Sequence, residues 1–542
     1  MSNAIAIAVL VLWATQAVYA ANPSQASNVD AIPLAGSLDD PQTMSDLACQ
    51  RDDDWHAGHR NTVTLADVEQ HRMHLRDGAF DQLNASLSAL ESRAQREPDG
   101  ETLAYSAYSA LGLGHADYTP HFRGWVEHSP DRHEARLALG HHLLRLSMAT
   151  VRRVRSGELD RAYLEDVSPL LEQARIELET SLAYRSTVTA AALLLETLRT
   201  ARDRDALNAR VAQFRLEFPA SYIVSMGIAE SVLPPFSENY ERYVAFYSDL
   251  VEQYPNEPLL RTLRGFFWQR KARSEERRFH RTEHYDTAVA CGGWAWLYRE
   301  RADYHNARSF HSEEERNLRE AVAVYPVSAI SHYQLARVLV RLNNFSDSRH
   351  HFDIAQRLDP LLANTSKWPV FASHELTAFA RRGIDNLRYA SAEALLSQAL
   401  TFFSENTEAH SLLARAHLEQ GDVARGHAAL LRVLAIDPLH INANLSLAEH
   451  YLRQDNLDAA EHLWEAVLAE QPDNAYAIAH MGDVHMARGD WRAGLDAFMR
   501  ACEQGYRYAC RHMKGVVERL YSDPDTLVDF MAFMQSRASD RQ

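Results

Sequence analysis

The chain is poor in the residues from which turns, sheets and disulfide frameworks are made. Four cysteines in 542 residues exclude a small cysteine-dense scaffold. Glycine and proline supply only 21 and 18 residues, too few for a turn-rich sheet protein or long flexible linkers, which leaves an all-helical chain as the default. Basic residues fall short of acidic ones, 56 against 73, for a net charge of −17. That balance argues against nucleic-acid phosphate as the main partner and repels anionic membrane surfaces. Lysine is nearly missing, three against 53 arginines, a bias that fits a GC-rich bacterial genome. At 46% hydrophobic the chain is too apolar to be mostly disordered.

Long apolar runs are confined to the first twenty residues, MSNAIAIAVLVLWATQAVYA. An apolar core from Ile5 to Trp13 is followed by Val18-Tyr19-Ala20, a small-x-small pattern that suits signal-peptidase cleavage before Ala21. The expectation is a signal peptide over 1–20 and a periplasmic or extracellular protein, with no integral membrane segment after cleavage. The amino end carries neither Lys nor Arg, so an uncleaved anchor facing the periplasm is the alternative. The 17 residues from Ala4 to Ala20 are short for a span. Residues 21–62 form a small, polar, acidic leader.

What the chain does have is internal repetition. Pro438 and Pro472 close two units one 34-residue period apart. Each contains a Leu-Ala pair (Leu413-Ala414, Leu447-Ala448), then a small residue (Gly426, Ala460), a large one (Leu430, Trp464) and a valine (Val433, Val467). Small residues permit helix backbones to approach and large ones fill the gap beside them, so each unit is predicted to be a pair of antiparallel helices. The grid recurs between Pro326 and Pro360, with Leu335-Ala336, Ser348, Phe352 and Ala355. A unit with Ala380, Ala392, Leu396 and Ala399 carries a ten-residue insertion around ANTSKWPVFA, and a last one runs through Met481-Gly482, Gly494, Phe498 and Ala501. These residues resemble the tetratricopeptide repeat over about residues 295–520. The resemblance implies an all-α, right-handed helical-hairpin solenoid, with the array over 295–506 and capping helices over 507–542.

Cys502 closes the last helix of the final repeat and Cys510 opens the next. An eight-residue step across such a corner can bring the Cα atoms to the ~5–6 Å that a disulfide needs. ACEQGYRYACRHMKG also resembles the SEL-like repeat, whose secreted members place a disulfide at this spacing; two buried thiols are the alternative. Cys49 and Cys291 remain, and sequence does not decide whether they pair.

Residues 63–294 keep a helical period without the 34-residue grid and are expected to be irregular helical hairpins. Corners fall at Asp77-Gly78, Pro98 to Gly100, Ser129-Pro130, Phe218-Pro219, Pro234-Pro235 and Tyr254-Pro255. WVEHSP (125–130), RRVRSG (152–157) and the segment Phe218 to Leu250 resemble an uncharacterised bacterial domain family that precedes tetratricopeptide arrays. In place of that family's tryptophan and paired glycines, this chain has LPPFSENY.

Chemistry-bearing motifs are sparse. His280 and His284 stand at i, i+4 with Glu283 and Asp286 nearby, a spacing able to present two imidazoles on one face; the metalloprotease string H-E-x-x-H is absent, and solvated or interhelical histidines are expected. His141-His142 and His350-His351 are expected to be surface pairs. Cys291 precedes a tight turn, CGGWAWLY, whose aromatics are expected to pack between the two halves. No nucleophile elbow, phosphate loop or dinucleotide fingerprint occurs, and no cofactor, metal or catalytic residue is assigned.

Binding remains. In tetratricopeptide arrays the first helix of each pair lines the concave groove, and the resemblance places repeat position 9 in it. That position holds Arg337, Arg381, Arg415, Glu449 and Asp483, with Tyr333, Leu445 and Tyr476 beside it. Three positive charges followed by two negative ones can orient an extended peptide; the alternative is a solvated face whose charges pair with one another. The expected function is a secreted or periplasmic scaffold for a protein or peptide. The other reading is an enzyme with catalytic groups near His280 to Cys291 and repeats that recruit substrate.

Overall fold

The structure is a computed structural model that describes residues 63–96, 100–112, 115–151, 167–232, 241–275, 278–292, 295–360, 362, 367–522 and 524–540. The expected signal segment, Cys49, the RRVRSG stretch and Pro234-Pro235 lie outside the described residues. All regular structure among the described residues is helical, arranged as successive hairpins. The chain divides into two compact units, 1–364 and 365–542. The division falls at the insertion inside the repeats, not at the start of the repeats near 295.

The hairpins are specified by their turns. In three of the second unit's repeats the first helix ends on a residue in left-handed conformation, followed at once by an Asp or Asn that caps the second helix. Gly421 (φ 80°), Asp455 (58°) and Gly489 (85°) precede Asp422, Asn456 and Asp490. Each of those caps accepts the backbone N–H three residues on, satisfying a donor that the helix start would otherwise orphan. The repeat with the insertion departs from this rule: Leu387 takes φ 58° and Arg388 makes no side-chain cap. Part of that insertion lengthens the repeat's first helix, Trp368–Asp385, to 18 residues, against 13 in Thr407–Glu419, Ile441–Arg453 and Ala475–Ala487.

Packing follows the small-large alternation. Ala448, Ala460 and Trp464 are fully buried, and so are Ala392, Leu396 and Ala399 two hairpins earlier. A Cβ on Gly482 would lie 3.0 Å from the Phe498 ring and 3.2 Å from the Gly494 carbonyl oxygen, so hydrogen alone lets helices Ala475–Ala487 and Trp491–Glu503 close on each other.

In the first unit a hydrophobic core extends from Val63 to Leu358, with smaller clusters such as Ala302, Leu318 and Leu335 in its later hairpins. Gly78 makes the predicted turn with φ 70°. The hairpin Ala295–Asn306/His311–Val324 forms despite its poor fit to the repeat grid, and Trp296 packs 4.9 Å from Phe266. The last hairpin, Ala329–Arg341/Phe345–Leu358, packs back on the first described helix, Leu65–Arg76. Arg72 donates to the Leu358 and Ala110 carbonyls at 2.7 and 2.6 Å, and Arg357 grips Glu69 with two bonds of 2.6 Å. His115 meets Asp359 at 3.0 Å.

Two histidine expectations are corrected. His141 and His142 are core residues, not a surface pair. His141 bonds the Tyr108 carbonyl at 3.0 Å, and His142 bonds Thr119 at 2.9 Å while stacking on Phe122; each ring fills volume between helices and has a polar partner for a nitrogen. His350 is exposed, but His351 is half-buried with its Nδ1 2.9 Å from that of His332.

Candidate functional site

The position-9 residues lie on the first helices of successive hairpins, and most are already paired. In the second unit Arg381 forms an ion pair with Glu408 of the next hairpin. Arg415 reaches back to Asp385 at 3.2 Å, and Glu449 is 3.6 Å from Arg453 on its own helix. Arg381 and Glu408 are 39% and 32% exposed, so water screens the pair and its contribution is ~0–1 kcal/mol. In the first unit Arg337 and Tyr333 are half-buried on helix Ala329–Arg341. The positive part of the predicted ladder is therefore largely neutralised within the array.

Asp483 is held differently. Its Oδ2 accepts from His480 Nδ1 at 2.7 Å and from the Tyr508 hydroxyl at 2.8 Å, and His512 stands 3.9 Å from its Oδ1. Rings gather around it. Tyr476 lies 5.8 Å from Tyr506, Tyr506 5.8 Å from Tyr508, His480 4.9 Å from Tyr508, and Tyr508 stacks on His512 at 4.0 Å. Beneath them Trp464, fully buried, stacks on His480 at 5.4 Å. Burial, helped by the charges of Glu449 and Asp483, raises the Tyr506 hydroxyl above its ordinary value. Burial and the bond to Asp483 do the same to Tyr508. Of this group the sequence indicated only Tyr476 and Asp483. The others follow the final clear repeat or sit beside position 9, and the YRY string before Cys510 was the available signal.

The same corner holds the disulfide: Cys502 and Cys510 are bonded, with Cα atoms 4.7 Å apart. Cys291 is buried, and no described cysteine is a free thiol.

The first unit contains the one group among the described residues whose potential metal ligands lie within 4.8 Å of one another: Glu91, His133 and Glu134, all buried. Its donors are committed. His133 Nε2 lies 2.9 Å from Glu91 Oε2 and Nδ1 3.1 Å from Glu134 Oε2. Arg185 adds a 2.9 Å contact to Glu91, Tyr108 donates to Glu91 at 2.8 Å, and Ser88 donates to Glu134 at 2.5 Å. Burial opposes charge on His133, but its bonds to Glu134 and Glu91 outweigh that and raise it to about 9. Burial likewise opposes charge on Glu134, and the bonds to His133 and Ser88 outweigh it, lowering the carboxyl to about 2. Arg132 stands 3.2 Å from Glu134 as well, so two carboxylates are met by an imidazolium and two guanidinium groups, an ion-pair network whose charge needs no metal.

His280 and His284 do not assemble a comparable group. Both stand 3.8 Å from Glu275 Oε2, His284 packs against Trp268 at 5.4 Å, and Asp286 is paired with Arg301. Burial lowers His284 below its ordinary value, which suits a neutral interhelical ring.

No helix among the described residues is long and apolar enough to cross a membrane. No curated protein matches the chain. Among solved structures it is similar to yeast Tom70 at 13% identity over 88% of this chain and 99% of that one, with a TM-score of 0.27. It is similar to MamA at 13% identity, covering 40% of this chain and 93% of that one, TM-score 0.22. YrrB, described as a tetratricopeptide protein with an unusual peptide-binding site, matches at 16% identity over 36% and 97%, TM-score 0.22. Scores of this size carry no inference about what the present chain binds. The sequence itself matches the tetratricopeptide repeat family at residues 384–440 and again at 445–509. The second unit therefore carries tetratricopeptide repeats, a module of protein-interaction scaffolds.

Proposed function

We propose that the protein is an exported, non-catalytic scaffold that holds a protein or peptide partner on the face formed by the first helices of its repeats. The observation that carries this reading is the row Leu445, Glu449, Tyr476 and Asp483, polar, aromatic and part-open on consecutive first helices instead of buried in the stack. Side chains of mixed character held on rigid helices suit recognition, because their ordering is already met by the fold. Export is supported by the apolar core and small-x-small ending of the first twenty residues. The Cys502–Cys510 bond also fits an oxidising compartment.

A photoreactive amino acid at Leu445 or Tyr476 tests the assignment in the native cell. Crosslinks from these positions, but not from His462 or Glu465 on the exposed side of a second helix, are expected. Crosslinks only from His462 and Glu465 would overturn the placement of the partner.

A further inference from the structure

The face around Asp483 has a chemistry that narrows the partner, given that the repeats bind a peptide on their first helices as proposed above. Three tyrosine rings are half-buried, with Tyr506 5.8 Å from Tyr476 on one side and 5.8 Å from Tyr508 on the other. An aromatic face carries negative potential and attracts a cation set over it. Among the described residues no arginine or lysine covers any of these three rings; the cation–π contacts lie elsewhere, as at Trp268, Tyr304 and Trp491.

Two carboxylates reinforce that potential. Asp483 has no lysine or arginine partner among the described residues: its contacts are His480, Tyr508 and, at 3.9 Å, His512. Hydrogen bonds from a tyrosine hydroxyl orient a carboxylate without cancelling its charge. Among the described residues the basic partner of Glu449 is Arg453, 3.6 Å away on a side chain 73% exposed, a pair that water screens. The tyrosine hydroxyls report the resulting field, since after burial itself the charges of Glu449 and Asp483 help hold the Tyr506 proton. Elsewhere in the second unit the position-9 charges are cations answered by carboxylates, Arg381 by Glu408 and Arg415 by Asp385. The negative end of the row is thus where charge is left to offer.

We infer that Tyr476, Tyr506 and Tyr508, with Asp483 and Glu449, form a seat for a cationic side chain of the bound peptide, so that the partner is an extended segment rich in arginine or lysine. The cation stacks on the rings and faces Asp483 Oδ1, the oxygen that accepts neither the His480 nor the Tyr508 bond. The apolar stem of the side chain lies along the same rings.

Calorimetric titration of the full chain, disulfide intact, with a synthetic peptide of alternating arginine and glycine tests the seat. A glutamate–glycine peptide serves as control. Saturable binding of the arginine peptide is expected, weakening with added salt and absent for the glutamate peptide. Asp483→Asn keeps the shape and removes the charge, and should weaken binding about tenfold. Tyr506→Ala should do the same, and Asp483→Asn stands alone if that truncation disturbs folding. Absence of binding by the arginine peptide, equal binding of both peptides, or an unchanged Kd in Asp483→Asn would each overturn the seat. Crosslinking from Leu445 and Tyr476 is read independently of these titrations. Crosslinks without arginine-peptide binding would therefore retire the cationic seat and leave the binding face standing.

Discussion

The guanidinium of Arg72 donates to the carbonyl of Leu358 across 286 positions of sequence, joining the first described helix of its unit to the last. Arg72 is buried and bonds the Ala110 carbonyl as well. Arg72→Met keeps much of the apolar stem but leaves two buried carbonyls without a donor, and should destabilise the first unit by roughly 2–4 kcal/mol. Urea denaturation checks the value.

The Glu91–His133–Glu134 network makes a pH prediction. His133 is raised from an ordinary 6.5 to about 9, so its contribution is complete below 6.5 and is lost as pH climbs through 9. Glu134 is lowered from 4.5 to about 2, so its contribution is complete above 4.5 and is lost as pH falls toward 2. The network is strongest between pH 4.5 and 6.5. One hydrogen bond feeds both shifts, so the two contributions do not sum; either loss amounts to roughly 3 kcal/mol. Hydrogen exchange in helix His133–Val151 should accelerate toward pH 9 beyond its chemical rate, and His133→Gln should flatten that dependence.

The repeat with the insertion can be improved. Leu387 holds a left-handed conformation and is 73% exposed, whereas two other hairpins of the second unit use glycine there, Gly421 and Gly489. Leu387→Gly relieves ~1–2 kcal/mol of backbone strain, and Arg388→Asp adds a cap worth about 1 kcal/mol. The double variant should melt higher by calorimetry.

Removing the Cys502–Cys510 bond releases a short loop at the end of the second unit. Loop-entropy reasoning puts the loss at about 2–3 kcal/mol. Cys502→Ser/Cys510→Ser should lower the melting temperature of the second unit, and mass spectrometry of protein purified without reductant should find the two cysteines linked.

A double-mutant cycle on Arg415 and Asp385 decides whether the positive row is structural. With side chains 51% and 57% exposed, their coupling should be below about 1 kcal/mol. The prediction fails if the coupling exceeds 2 kcal/mol.

The repeats were legible because they are written locally: a 34-residue spacing, a recurring Leu-Ala pair, small residues at close approaches and large ones beside them. Such signals need no knowledge of distant contacts. What sequence could not reveal is non-local. Arg72 finds Leu358, and Glu91 finds His133 and Arg185, through packing that no spacing announces. The histidine pair at 141–142 looked exposed because imidazole is polar, yet each ring is buried and has a hydrogen-bond partner. Asp483 and Tyr476 were placed on the row from their repeat positions, but His480 on the same helix, and Tyr506, Tyr508 and His512 from beyond the last repeat, were missed.

Hydrogen–deuterium exchange on the complex with the native partner tests the central claim most directly. Binding on the first-helix face predicts new protection in Ile441–Arg453, Ala475–Ala487 and the start of Arg507–Ser522. Protection confined to the second helices Leu457–Glu470 and Trp491–Glu503 would contradict it.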